Sequence, residues 1–114
     1  MIRLADIEAA VREVFGVTRA EFHGISRLRH ISDARIAFVG IARKITAKSL
    51  PEIARYRDKN HTTILSNERS CKRRRATDAE FDRMCTQATA FAQRIAAARM
   101  MQASNINKAP EIRT

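Results

Sequence analysis

Five of the seven residues from Arg69 to Arg75 are basic: Arg69, Lys72, Arg73, Arg74 and Arg75. Such a run can bond phosphate oxygens, or it can be a solvated charged face that needs no partner. A second cluster, Arg27, Arg29 and His30, lies among the apolar residues of Ile25 to Ile31. The chain as a whole has 114 residues and carries 22 Lys plus Arg against 12 Asp plus Glu, a formal net charge of +10. At that charge self-association is costly and a polyanion is the favoured partner, nucleic acid first. Other chemistry is not signalled. Cys71 and Cys85 read as lying in polar helical surroundings, form no CxxC and have no histidine pair at ligand spacing, so neither a metal site nor a disulfide framework is expected. Nothing pairs His23 or His30 with a nucleophile, and no carboxylate cluster is placed for phosphoryl chemistry. The expectation is a non-catalytic protein with no cofactor and no metal.

The elements that must carry these residues read as helices. Apolar residues make up 45% of the chain, with Gly 3, Pro 2 and no Trp, which disfavours turn-rich β folds and points to the all-α class. Leu4, Ile7, Val11, Val14 and Phe15 form an amphipathic stripe over 2–15, stopped by Gly16. Thr18-Arg19-Ala20-Glu21 is a capping box that opens a short helix ending near Gly24, and Ile25 to Ile31 is expected to be an ordered basic loop. From Ser32 a strong helix places Ala34, Phe38, Ile41 and Ile45 on one face. Its Gly40 costs ~1 kcal/mol against Ala, which points to a close helix crossing.

Ser49-Leu50-Pro51-Glu52 is a second capping box, with proline in the first turn of a helix over about 50–57. After the polar break Arg57 to Asn60, Asn60 caps a helix from His61 to about Arg75. Two helices joined by a tight polar turn follow the helix-turn-helix grammar. Thr77-Asp78-Ala79-Glu80 reads as a third capping box, opening a long helix with Phe81, Met84, Ala88, Phe91, Ile95 and Ala98 spaced by three and four. The seam 81–98 can pack on its own domain or on a second chain. A homodimer through it is the preferred reading, because an exposed Phe81, Phe91 and Ile95 stripe would be a large apolar patch for a monomer.

The residues from Thr46 to Leu65 resemble the C-terminal DNA-binding domain of the bacterial replication initiator DnaA, whose helix-turn-helix carries Ser-Leu-Pro-Glu-Ile and, further on, His-Thr-Thr. The likeness covers roughly residues 2–75, including Phe15-Gly16-Val17-Thr18, the Ala34-Arg35 helix start and Ala42-Arg43-Lys44-Ile45-Thr46. It implies that Lys59, Asn60, His61, Thr62 and Thr63 stand where the family's Arg-Asp-His-Thr-Thr run meets base edges. Threonine methyls suit the thymine methyl, and an imidazole can donate or accept. It also implies a minor-groove arginine at Arg27 or Arg29, with Arg27 the better match, because a narrow minor groove attracts guanidinium. Phosphate contacts are implied at Arg35, Arg43, Thr46, Lys48 and Arg69, and the basic run, apart from the resemblance, offers Lys72, Arg73, Arg74 and Arg75 as secondary contacts.

Two departures stand out. Lys59-Asn60 replaces a bidentate fork by a point charge and a carboxylate by an amide, which should alter base preference. Before Lys59 one residue is lost: where the family has an aromatic and two glycines, this sequence has Tyr56-Arg57-Asp58. Either Tyr56 replaces the aromatic and the helix loses a residue, or Arg57 does and the turn shortens.

The expected organisation is a helix-turn-helix domain over 1–76, a C-terminal helix over 77–104 and a flexible tail over 105–114. No GxxxxGK[ST] run occurs, so the expected role is a stand-alone, sequence-preferring binder of double-stranded DNA, a transcription or replication regulator without the initiator's ATPase. The alternative is an adaptor whose C-terminal helix recruits a replication or transcription protein. The opening residues form neither a secretory signal nor a membrane span, and a soluble, nucleoid-associated protein of the reducing cytoplasm is expected.

Overall fold

The computed structural model describes the backbone over residues 1–112 and the side chains over residues 1–103. Among the described residues there are six helices and no strand: α1 (Leu4–Phe15), α2 (Arg19–His23), α3 (Arg29–Ile45), α4 (Leu50–Arg57), α5 (His61–Thr77) and α6 (Ala79–Ile112). Short-range bonds set most of their ends. Gly16 stops α1 in the left-handed conformation, φ 67°, which costs glycine nothing. Capping boxes open α2 at Thr18 and α4 at Ser49, each with the glutamate three residues on bonded back to the cap amide.

Three boundaries differ from expectation. Helix α3 begins at Arg29 instead of Ser32, because Ile31 is buried in register with Ala34, Phe38 and Ile41, so the basic loop shrinks to Gly24 through Leu28. Thr77 is not a cap. It closes α5 with its hydroxyl on the Arg73 carbonyl, and Asp78 opens α6 by accepting the Phe81 amide at 3.1 Å. The carboxylate next to Arg74 is the stronger acceptor for a helix amide. Helix α6 runs to Ile112, past the expected end near 104, and residues 113–114 of the expected tail lie outside the described residues.

The core forms where all six helices meet, around fully buried Ile7, Phe22, Phe38, Ile41, Ile53 and Ile64. Gly40 marks the α3–α5 crossing: a Cβ there would stand 2.2 Å from the Cys71 sulfur. Cys71 and Cys85, expected in polar surroundings, are both buried free thiols on inward faces of α5 and α6. Along α6, Phe81, Cys85, Ala88, Ala92 and Ala96 face inward, and the small size of all but Phe81 lets α6 lie close against α1. Phe81 meets Phe15 edge-on at 6.1 Å. Of the seam offered to a second chain, Phe81 and Ala88 are buried and Met84, Phe91 and Ile95 are half-buried against the core of the same chain, while Ala98 is exposed. No described helix is long and apolar enough to cross a membrane.

Candidate nucleic-acid interface

Between α4 and α5 the chain turns at Asp58, the one described non-glycine residue with positive φ (54°), and the Lys59 amide bonds back to the Ala54 carbonyl at 2.9 Å. Asn60 then opens α5, its Oδ1 accepting the Thr63 amide at 2.8 Å. Ile64, fully buried, fixes the rotation of α5. As a result Lys59, Asn60, His61 and Thr62 are exposed and Thr63 is half-buried. The first turn of α5 presents free amides and the positive end of the helix dipole outward, an arrangement that favours anions.

The turn is braced from below. Tyr56 stacks on Phe38 with ring centroids 5.5 Å apart, and its hydroxyl donates to Glu8 at 2.6 Å. Glu8 also bonds His23 at 2.8 Å and Arg12 at 3.0 Å. Burial works against ionisation of Glu8, but the hydrogen bonds from Tyr56 and His23 outweigh it and hold its pKa below the usual carboxylate value. The same burial and bond push the Tyr56 phenol up. Aromatic packing at the end of α4 therefore comes from Tyr56. Arg57 is a buried cation whose guanidinium sits 4.9 Å from the Phe22 ring centroid.

Arg35, expected on phosphate, is turned inward. Its Nε donates to the Phe22 carbonyl (2.9 Å), Nη1 to Ser26 (2.6 Å), and Nη2 to Glu21 (2.7 Å) and Gly24 (2.9 Å). With most guanidinium donors occupied, its work is to hold the loop after α2 in one shape. That loop carries Arg27 exposed. An open cleft of about 480 Å³ brings Arg27 and Arg35 together with Arg57, Lys59, Thr63 and Asn67. Arg29 does not join them: as the first residue of α3 it leans on Asp33 at 3.9 Å and lines a separate hollow with Arg74 and Phe81.

The remaining expected contacts divide. Arg43 pairs with Glu68 at 2.9 Å, and Lys48 with Glu52 at 3.5 Å. Thr46 accepts the Lys48 amide and donates to the Ala42 carbonyl, so its hydroxyl closes α3. Arg69, Lys72 and Arg73 are exposed along α5. Arg74 and Arg75 are not: Arg74 bonds Asp33 and Asp78 and covers the Phe81 ring, while Arg75 bonds Asp82 at 2.6 Å and Thr86 at 3.0 Å. Both carry acidic partners, which sets them apart from the exposed Arg69, Lys72 and Arg73. Sequence reasoning missed Arg57 and Asn67. The available signal was spacing, since Arg57 follows the inward Ile53 by four residues and Asn67 follows Thr63 by four.

Among the described residues no group of three or more His, Cys, Asp or Glu stands together to hold a metal. The geometry is that of a helix-turn-helix with an adjoining basic loop, and comparison with known proteins agrees. The family model described as bacterial dnaA protein helix-turn-helix matches residues 4–71. The chromosomal replication initiator protein DnaA of Cereibacter sphaeroides is 31% identical over 80 residues, 69% of this chain and 18% of that protein. The corresponding protein of Caulobacter vibrioides is 33% identical over 79 residues, 68% of this chain and 16% of the relative. That of Wolbachia sp. subsp. Brugia malayi is 31% identical over 81 residues, 70% and 18%. This chain thus spans less than a fifth of the length of the curated relatives it matches. With more than half of its residues matched, and its turn, caps and loop built as described, the chain belongs to the bacterial DnaA helix-turn-helix family.

Proposed function

We propose that this chain is a sequence-preferring binder of double-stranded DNA that acts without catalysis. Helix α5 enters the major groove with His61, Thr62 and Thr63 on base edges and Lys59 and Asn60 beside them. Arg27 reaches the adjoining minor groove. Arg43, Thr46, Lys48, Arg69, Lys72 and Arg73 stand toward the strand backbones, those already paired contributing least. The observation that carries this reading is that exposed Arg27 and exposed Lys59 border one cleft with Thr63 of the first turn of α5, while Asn60, His61 and Thr62 line an adjoining hollow that shares Lys59. The relatives are chromosomal replication initiator proteins, so the process we propose is control of replication or transcription at such sites, in the nucleoid. Because Phe81 and Ala88 of the 81–98 seam are buried and Met84, Phe91 and Ile95 pack against the core of the same chain, the binding form we propose is a monomer, which sedimentation at micromolar concentration checks.

The test is binding of duplexes selected from a random pool, measured across salt. With about six phosphates neutralised, log K should fall against log salt with a slope of roughly −5. A slope near zero, or equal affinity for selected and random duplexes, would overturn the reading. The second reading is an adaptor that recruits a replication or transcription protein through α6, favoured by the exposed Met100 and Met101 on that helix. Under it, replacing both methionines by serine removes partner binding and leaves DNA affinity intact.

A further inference from the structure

The cleft beside Arg27 contains a charge that groove reading does not use. Arg57 is 4% exposed, yet no carboxylate bonds it: Nη1 reaches only the Phe22 carbonyl, at 3.4 Å, and Nε has no partner. A buried guanidinium without a counter-ion is costly to hold. Its cleft neighbours Arg27, Arg35 and Lys59 are cations as well, and none of the residues lining the cleft is acidic. Burial, and then the charge of Arg35, push the Arg57 pKa below its ordinary value. Glu8 attracts Arg57, but its oxygens are already taken by Tyr56, His23 and Arg12. Everything the cleft lacks, an anion would supply.

We infer that this cleft seats one phosphodiester of a DNA strand, with Arg57 as its buried counter-charge, Arg27 and Lys59 flanking it, and Thr63 and Asn67 as neutral hydrogen-bonding wall. The inference rests on the DNA-binding reading above, which also selects the source of the phosphate. A strand backbone separates each major groove from the minor groove beside it. An element in the major groove and an arginine in the neighbouring minor groove must therefore straddle that strand, and the cleft lies between those two elements. Arg57 stands in the segment where the family carries an aromatic and two glycines, so the buried charge is a feature of this sequence.

The test compares Arg57→Phe, which replaces the planar guanidinium near Phe22 by a planar ring and removes the charge, with Arg57→Lys, which keeps the charge. Thermal melting checks that each variant folds. Binding of a selected duplex across salt should show Arg57→Phe about tenfold weaker at low salt. Its slope of log K against log salt should be shallower by about 0.9, and Arg57→Lys should restore the slope. Wild-type affinity and slope in a folded Arg57→Phe would overturn the seat alone. A native chain that binds no duplex would overturn the seat and the DNA reading together. The native chain supplies a second readout that needs no variant: the Arg57 Nε–H resonance should move on adding duplex and stay fixed with inorganic phosphate or pyrophosphate at equal ionic strength. Movement with pyrophosphate and none with duplex would overturn the strand assignment in favour of a free anion.

Discussion

At the C-terminal end of α5, Arg74 bonds Asp33 and Asp78 and lies 4.4 Å over the Phe81 ring, while Arg75 bonds Asp82. At the N-terminal end of the same helix, Lys59 and the neighbouring Arg27 and Arg57 form no ion pair among the described residues. Sequence density of charge points to the first region, since Lys72 to Arg75 is the longest basic run. Pairing points to the second. An arginine neutralised by an aspartate a hydrogen bond away presents little field to an approaching polyanion, whereas an unpaired one keeps its whole charge for it. The two ends of α5 thus separate what arginine does for folding from what it does for binding, and substitutions at each end should move different observables.

The largest effect should come from the paired end. Arg74→Ala leaves Asp33, 17% exposed, with only the long 3.9 Å contact to Arg29, and uncovers Phe81. The expected loss is about 2 kcal/mol of unfolding free energy, because the site is only partly desolvated and the full penalty of a buried broken pair does not apply. Urea denaturation measures it. DNA affinity of the folded protein should change by less than about threefold, one exposed phosphate contact being worth more than that. A variant with native stability and collapsed affinity would reverse the comparison.

Arg27→Ala is the mirror experiment. Its side chain bonds nothing in the described structure, so stability should stay within about 0.5 kcal/mol, as for ordinary surface changes. Affinity should fall roughly tenfold, about 1.4 kcal/mol, with most of the loss on duplexes having a narrow A·T minor groove. Equal loss on G·C-rich and A·T-rich flanks would remove Arg27 from the minor groove and leave it a phosphate contact.

The capping boxes at Thr18 and Ser49 and the Asn60 cap were legible in the sequence because each is a bond across three residues, decided by neighbours on the chain. Gly40 was legible as a crossing because glycine in a helix needs a reason, and the reason was Cys71. What escaped depended on distant partners. Arg57 reaches Phe22 across 35 residues, and the Arg35 guanidinium folds back onto carbonyls 9 to 14 residues earlier. The 81–98 seam looked unpartnered because α1, against which α6 packs, lies at the other end of the chain. Helix periodicity shows that a face is apolar and is silent on what covers it. Within the candidate site, the exposed residues of α5 followed from the Asn60 cap and the inward Ile64, whereas the floor of the cleft followed from tertiary packing alone.

Thr62→Ala sharpens the comparison inside the unpaired end itself. Thr62 is exposed on the first turn of α5, one residue before the residue whose amide Asn60 caps, so its removal should not disturb the helix start. Loss of one methyl contact should cost about 1 kcal/mol at a single base pair and relax preference there. Selection from a random pool reads this directly: one column of the recovered site should flatten while the others keep their contrast. Uniform weakening across all sequences would assign Thr62 to the backbone.

Lys48→Ala should have the smallest effect and the least selective one. Its ammonium already lies 3.5 Å from Glu52, both side chains being about two-fifths exposed at 43% and 42%. A pair this exposed contributes only a few tenths of a kcal/mol to stability. Glu52 keeps its bonds to the Ser49 amide and hydroxyl, so the cap of α4 survives the substitution. A phosphate must compete with Glu52 for the lysine, and the slope of log K against log salt should therefore change by less than the roughly 0.9 of a full contact. Selected and random duplexes should weaken alike. If Lys48→Ala instead matched Arg27→Ala in size, an ion pair of this kind would not screen a cation from DNA, and pairing would no longer distinguish the two ends of α5.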